Sequence, residues 1–423
     1  MTQDFRPLAG IRVVEMSHMI MGPSCGMFLG QLGAEIIKVE PPGGDKTRDL
    51  TGMGRPMFPL FNRGKKSVTI DVSAPEGRDA LQALLATADV FVENFRDSAL
   101  IKAGVDAPAL RARFPRLILA CCKGFLSGPY QGRTALDEVV QMMTGLAYMT
   151  GPSGRPLRVG SSANDIMGGL FAAFAVMAAL MERKDTDQGR ELRVGLFENC
   201  LLLVAQHMVQ FELEGVCPPP MPERDFSWPV YDIFTDASGV QLFVGAVTEG
   251  QWRTLCAILD LEDLLSHPRL QTPMDRIRAR DWTVPLVAAK IARLDAGALA
   301  PRFESAGIPF APILKPSDMY DDPHVMRPGG LALSRCADGT AFRAPAMPFE
   351  VDGTMLTGGG DVAGMGEDTA AVLGALGLTA DAIARASGAD RIAPVSGGGS
   401  GGGSGGGSGG GSGGGSGGGS GGG

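Results

Sequence analysis

Short runs of β-branched and aliphatic residues alternate with longer amphipathic stretches through the first half of the chain. Residues 11–15, 35–40, 67–72, 89–93 and 117–121 read as strands, each a short run rich in β-branched and aliphatic residues. Short apolar strands between helices suit a parallel sheet covered on both faces. Between them, residues 75–88 carry a proline in the first turn and place Leu81, Leu84 and Leu85 on one face, the spacing of an amphipathic helix. A second helical pattern covers 137–148 and gives way to a Gly/Pro/Ser loop at 150–162. An apolar helix follows, opened by Asp165 and ending near Met181. Strand–helix alternation of this kind predicts an α/β domain with a largely parallel sheet. By itself it specifies no chemistry.

The pattern changes after residue 215. The proline-rich stretch 217–222 marks a boundary. Beyond it lie short strands at 231–234 and 240–245 and helices at 251–259 and 282–293, which predict a smaller α+β domain over 225–311. Residues 312–395 supply strand and loop material and a helix near 369–376, expected to return to the first domain at 1–215. Residues 396–423 are a strict Gly-Gly-Gly-Ser repeat with the form of an engineered flexible linker, and they carry no fold information.

Composition narrows the function classes. A chain of 423 residues, 44% hydrophobic and 20% charged, is long enough to bury a large core. A formal net charge of −8 argues against a nucleic-acid binder, which needs a basic field to displace counterions, yet permits a local basic pocket for a phosphorylated ligand. The seven cysteines follow no framework, and the adjacent pair Cys121-Cys122 is not a CxxC motif, so free thiols in a reducing cytoplasm are expected. The N-terminus lacks a signal-peptide pattern. The apolar run 166–181 is shorter than the roughly 20 residues that span a bilayer and reads as a buried helix. The four histidines, His18, His207, His267 and His324, are too dispersed for a metal cluster, and no metal is expected. His267 and His324 adjoin prolines and read as surface-loop residues. No phosphate-binding loop, serine-nucleophile elbow, HExxH or GxGxxG appears at the first strand–helix turn. Read without further context, Asp165 and Asp137 are helix N-cap candidates as much as chemical groups.

Longer segments carry more information. Gly10-Ile-Arg-Val-Val-Glu is followed by Gly22-Pro23, then by Leu32-Gly-Ala and Lys38-Val-Glu-Pro-Pro-Gly-Gly-Asp. Thr47-Arg48, Phe61-Asn-Arg-Gly-Lys-Lys-Ser-Val-Thr-Ile-Asp, Asp89-Val-Phe-Val-Glu-Asn-Phe-Arg and Ala306-Gly-Ile-Pro-Phe-Ala-Pro-Ile come after in order. Over nearly all of residues 8–380 the chain resembles the class III CoA transferases of the CaiB/BaiF type, including formyl-CoA:oxalate enzymes. The resemblance implies a Rossmann-like CoA-binding large domain, a smaller domain and an interlocked homodimer. It also implies transfer of CoA between small carboxylic acids, dicarboxylic acids among them, with the CoA thioester as substrate and no further cofactor.

The resemblance implies site residues as well. Asp165, in Val159-Gly-Ser-Ser-Ala-Asn-Asp-Ile-Met-Gly-Gly, matches the nucleophilic aspartate. An ordinary carboxylate is ionised at neutral pH and attacks a thioester without a general base, giving an anhydride and then an aspartyl-CoA thioester. Asp137 matches an acidic residue beside the nucleophile. His18, Asn94, Phe95 and Lys102 fall where relatives contact CoA, with Lys38, Arg48 and Lys123 as further basic candidates. Gly168 and Gly169 either keep the backbone open beside the carboxylate or let helices approach closely.

On the substrate side, Ile20 replaces the glutamine of formyl-CoA:oxalate enzymes, and Glu249 and Gln251 lie in a candidate covering loop at 244–252. Leu136 stands where the related α-methylacyl-CoA racemases carry a catalytic histidine, which favours transfer over racemisation. A non-catalytic CoA-binding subunit is the alternative of another class, and the presence of Asp165 weighs against it.

Overall fold

Six strands form one parallel sheet: β1 (Arg12–Met16), β2 (Glu35–Glu40), β3 (Lys66–Thr69), β4 (Val90–Glu93), β5 (Ile118–Lys123) and β6 (Glu191–Gly195). This computed structural model describes residues 5–224 and 226–389; residues 390–395 and the Gly/Ser tract at 396–423 lie outside them. The strand order is β3-β2-β1-β4-β5-β6, so the direction of winding reverses between β1 and β4. In open α/β sheets such a switch point leaves a crevice beyond the carboxyl ends of the strands. Five of the strands are the ones expected from the apolar runs. The sixth, Glu-Leu-Arg-Val-Gly, lies half-buried at an edge and alternates polar with apolar, so it lacks the signature of a buried strand.

Neighbouring residues of a strand point to opposite faces. Val13, Val90, Val92, Ile118 and Ala120 therefore enter one core with α1 (Met21–Gln31) and α8 (Ala163–Thr186). Val14, Ile37, Val39, Phe91 and Leu119 enter the other, with α3 (Pro75–Leu85), α4 (Asp97–Ala103) and α5 (Ala107–Arg113). Two cores sharing one sheet explain why consecutive residues such as Val13-Val14, Ile36-Ile37 and Ile118-Leu119 are both apolar and both buried. A short helix, α2 (Met57–Asn62), lies between β2 and β3. The helix expected over 137–148 is two, α6 (Asp137–Thr144) and α7 (Leu146–Thr150), divided at Gly145, whose φ of 87° no helix accommodates.

The longest helix, α8 (Ala163–Thr186), packs along α1. A Cβ on Gly169 would stand 2.0 Å from Ser24 Oγ and 2.6 Å from the Met21 carbonyl, and one on Gly168 would meet the Met21 side chain. These glycines thus serve close helix packing. By length and composition α8 could cross a membrane, yet one side of it is buried against α1 and the sheet. It leads through β6 into α9 (Leu196–Glu214).

The smaller domain builds on a three-stranded antiparallel sheet, β7 (Val230–Thr235), β8 (Gln241–Ala246) and β9 (Phe310–Pro312), around Trp252, Leu255 and Phe303. The stretch 244–252 holds the end of β8, a two-residue link and the first turn of α10 (Glu249–Ile258), closed by a Thr248–Gln251 capping box. It leaves no free covering loop.

The C-terminal residues return to the large sheet. Ser67 N donates to Asp368 Oδ2 (2.8 Å), Thr69 N donates to Thr369 Oγ1 (2.9 Å), and Asp368 N donates to the Ser67 carbonyl (2.9 Å). The exposed edge of β3 is thereby closed. The helices Thr369–Ala375 and Ala380–Ser387 add Leu373 and Ala386 to the second core.

Candidate active site

The carboxyl ends of β1, β2 and β4 surround a mostly apolar cavity of about 450 Å³, lined by Met16, Val39, Ile70, Phe95 and Ala103 among others. Here β1 turns into α1 through His18-Met19-Ile20. Met19 adopts φ 62°, a left-handed conformation costly for any residue but glycine. The turn is held from both sides. Asn94 Oδ1 accepts from His18 N (3.0 Å), Asn94 Nδ2 donates to the His18 carbonyl (2.8 Å), and Met19 N donates to Thr47 Oγ1 (3.1 Å). The His18 ring lies 5.0 Å from that of Phe95. Burial depresses the imidazole below its usual range, against the pull of Asp45, so it is neutral at pH 7. His18, Asn94 and Phe95, expected at one site, do converge.

The basic candidates divide. Lys38 is almost wholly buried and donates to the Ser17 carbonyl (2.8 Å), with Asp45 at 3.0 Å and Glu15 at 3.5 Å. Its charge is consumed below the cavity, which corrects its expected role as a phosphate ligand. Arg48 forks onto Glu40 (2.8 and 2.6 Å), donates to the Ala363 carbonyl and stacks on Phe58. Lys123 pairs with Glu93 and Asp97 and donates to the Phe95 carbonyl (2.8 Å), so it positions Phe95. These two are likewise struts. Lys102 is exposed in the last turn of α4, and Lys46, which the sequence analysis passed over, lines the cavity itself. Its signal was its place in Gly-Gly-Asp-Lys-Thr-Arg, immediately after β2.

Asp165 occupies the third position of α8; the N-cap is Ser162, so the aspartate is no cap. Ile166 joins Ile20, Met27 and Phe61 in a small apolar cluster, and Gly168 and Gly169 meet Met21, so Asp165 stands beside the β1–α1 turn. Among the described residues no donor hydrogen-bonds to its carboxylate. Burial, reinforced by the charges of Asp137 and Glu138 and only partly offset by Arg158, pushes it up to about 7. This corrects the expectation of an ordinary, fully ionised carboxylate. The cause is a desolvated acid among acids, invisible without the fold.

Asp137 is the first residue of α6, with Leu136 at the N-cap position and no side-chain cap. Its Oδ1 accepts from Gln141 Nε2 (2.9 Å); Oδ2 is buried without a partner in bonding geometry, although the nearby Asn164 amide steadies its charge. Burial holds Asp137 above the usual carboxylate range. Gln141, fully buried, also accepts from Val159 N (2.9 Å), which fastens the 151–162 loop to α6. Asn199 donates to Asn164 Oδ1 (2.6 Å) and Asn164 donates to the Leu196 carbonyl (3.1 Å), which pins the first turn of α8 to α9. Arg158 pairs with Glu138. Sequence reasoning missed Gln141, Asn164 and Arg158; for Gln141 and Asn164 a polar residue in an apolar helix pattern was the available signal, and for Arg158 a basic residue in the loop before α8.

Leu136 is 56% exposed and presents only hydrocarbon beside these acids. Ile20 is buried next to Ile166, within reach of the Asp165 surroundings. Glu249 and Gln251 lie at the surface in the first turn of α10, beside the buried Trp252. Glu249 pairs with Arg253 and Arg276, and Gln251 caps α10 and donates to the Gly307 carbonyl (2.9 Å). Both are occupied structurally, which corrects their expected substrate-selecting role.

A family model described as CoA-transferase family III matches residues 8–369. The succinate–glutarate CoA-transferase of Agrobacterium fabrum is 30% identical over 383 residues, covering 88% of this chain and 96% of that protein. The succinyl-CoA–D-citramalate CoA-transferase of Chloroflexus aurantiacus is 31% identical over 334 residues, covering 75% and 81%. The crystal structure of a CaiB/BaiF family protein from Brucella suis superposes with a TM-score of 0.79 at 29% identity, covering 88% of this chain and all of that one. The chain belongs to CoA-transferase family III and is a CoA-transferase.

Proposed function

We propose that the chain moves CoA from an acyl-CoA, succinyl-CoA foremost, to a small dicarboxylic acid through covalent intermediates on Asp165. The observation that carries this is an unbonded, desolvated carboxylate in the first turn of α8, beside the crevice at the β1/β4 switch point. Named relatives acting on succinate and glutarate support the substrate class. CoA takes the cavity by the His18 turn, its adenine against apolar walls and its phosphates near Lys46 and Lys102.

Asp165 attacks the thioester carbon, the C–S bond breaks, and CoA leaves as thiolate from a mixed anhydride. The thiolate attacks the Asp165 carboxyl carbon, breaking the anhydride C–O bond and releasing the donor as carboxylate. The acceptor carboxylate attacks the resulting aspartyl thioester. CoA thiolate then attacks the acceptor's acyl carbon in the second anhydride, which regenerates Asp165. No proton is gained or lost over the cycle, so the protein's task is positioning and stabilisation of oxyanions. A carboxylate lifted to about 7 is more basic, hence a stronger nucleophile once ionised.

Incubation with succinyl-CoA followed by hydroxylamine or borohydride should label the peptide containing Asp165, as read by mass spectrometry. An unlabelled peptide in an active protein would remove Asp165 from the mechanism. With Leu136 in place of an imidazole, no deuterium should enter the α-carbon of the acyl group in heavy water; rapid uptake without an acceptor acid would favour racemisation.

The reading includes a homodimer. The outward side of α8 and α9 exposes Phe174 (63%), Met181 (70%), Leu202 (59%) and Leu213 (82%), an apolar face unusual for a lone chain. Light scattering should give a dimer that persists to nanomolar protein; an active monomer would overturn it. Seven unpaired cysteines support a reducing, cytoplasmic setting.

A further inference from the structure

Asp165, Asp137 and Glu138 form an acidic surrounding in which a substrate bearing a second carboxylate would be repelled unless a cation met it. Among the described residues, Arg158 is the cation whose charge acts on Asp165. It sits in the loop that leads into α8, three residues from Ser161, whose carbonyl it reaches at 3.3 Å, and it also reaches the Val159 carbonyl at 3.3 Å. Both are long bonds. Its ion pair is with Glu138, itself about half exposed, and pairs of this kind contribute little net stability. Elsewhere the guanidinium groups near the sheet are committed: Arg48 forks onto a fully buried Glu40, and Arg183 binds Asp89 and two carbonyls. Arg158 is thus the cation beside the nucleophile whose partner another carboxylate can replace.

We propose that Arg158 receives the remote carboxylate of a dicarboxylic acyl group while the reacting carboxyl meets Asp165, Glu138 being displaced to solvent. The planar fork of arginine suits a bidentate carboxylate. A monocarboxylic acyl group of equal length offers nothing to exchange for Glu138 and leaves the original pair in place. The inference rests on Asp165 as the group that takes the acyl chain.

The test compares succinyl-CoA with butyryl-CoA, which matches it in carbon number and lacks the remote carboxylate, by the rate of labelling at Asp165. Arg158→Met should lower the succinyl/butyryl ratio of kcat/KM about 10- to 100-fold, the worth of a charged hydrogen-bonded contact. Both rates fall somewhat, since Arg158 also helps ionise Asp165; the ratio isolates the contact. Arg158→Lys should recover part of the ratio, and Glu138→Gln, by removing the competitor, should raise it. An unchanged ratio in Arg158→Met, or a Glu138→Gln ratio that falls, overturns the assignment. Labelling of Asp165 in the unsubstituted protein is the separate control: its absence would sink the Asp165 mechanism and not the role of Arg158 alone.

Discussion

Two groups of charges, one deeply buried and one partly so, flank the start of α1 and behave oppositely. Under the cavity, three carboxylates meet three cations: Glu15 lies between Lys65 (2.7 Å) and Lys38 (3.5 Å), Asp45 on Lys38 and Glu40 on Arg48. Gly26 makes room for this network, since a Cβ there would stand 1.9 Å from Glu15 Oε2. Burial lowers Lys65 to about 8, with Glu15 opposing the fall. Burial would raise Glu40, but Arg48, Ser67 and the Asp45 amide outweigh it and hold the carboxyl low. On the other side, three acids share a single arginine, and Asp165 rises to about 7. Matched charge fixes the strand ends in place. Unmatched charge leaves a group with reactive potential, at a cost in stability. The contrast separates the two groups by balance of charge, which burial alone does not do.

The largest expected effect is on rate. Asp165→Asn should lower CoA transfer about a thousandfold or more, because an amide does not open a thioester. A folded Asp165→Asn protein retaining a tenth of the parent rate would place the chemistry elsewhere. Next in size is a stability effect in the matched group. Lys65→Met leaves Glu15 buried with only the longer Lys38 contact, a loss of about 3–5 kcal/mol in urea unfolding. Pairing it with Glu15→Leu should restore much of the loss. A loss under about 1 kcal/mol in the single variant would mean the network is solvated and the contrast false.

A smaller effect follows from linkage. Asp165 holds its proton more tightly folded than unfolded, so the fold loses stability as pH rises from about 4 to 7, and the deficit is complete above 7. Asp165→Asn should therefore melt higher than the parent at pH 8, by about 1–3 kcal/mol, with the gap closing at pH 4. A gap that is absent at pH 8 or widest at pH 4 would contradict the strained carboxylate. The smallest effect concerns Asp137. The acid limb of kcat/KM should centre near 7, the ionised fraction of Asp165 growing with pH. Asp137→Asn, by removing a like charge, should shift that limb to lower pH. A limb that stays in place would remove Asp137 as a cause and leave burial and Glu138.

The sheet was legible because its strands face two cores, and apolar runs such as 35–40 and 89–93 announce that directly. Strand β6 was not, since it alternates at an edge. Asp165 was legible through the segment around it, as were His18, Asn94 and Phe95. What one dimension could not supply was the state of each charge. Lys38 and Lys46 look alike as letters, yet the first is enclosed by Glu15, Asp45 and a carbonyl while the second lines the cavity. The elevated Asp165 depends on burial first and then on Asp137 and Glu138, far from it along the chain, while Gln141 ties Asp137 to the 151–162 loop.

The closure of the β3 edge by residues 366–369 has a consequence for how the molecule is born. Ser67 and Thr69 leave the ribosome about 300 residues before the partners that satisfy them. At roughly 5–20 residues per second the bare edge waits on the order of tens of seconds, long enough to pair with another nascent chain. The sheet's inner strands can assemble early, but the β3 edge is completed only by residues made about 300 positions later. Truncation after the small domain should therefore yield aggregation during synthesis and not a smaller working enzyme, and dependence on holding chaperones should be concentrated in that interval.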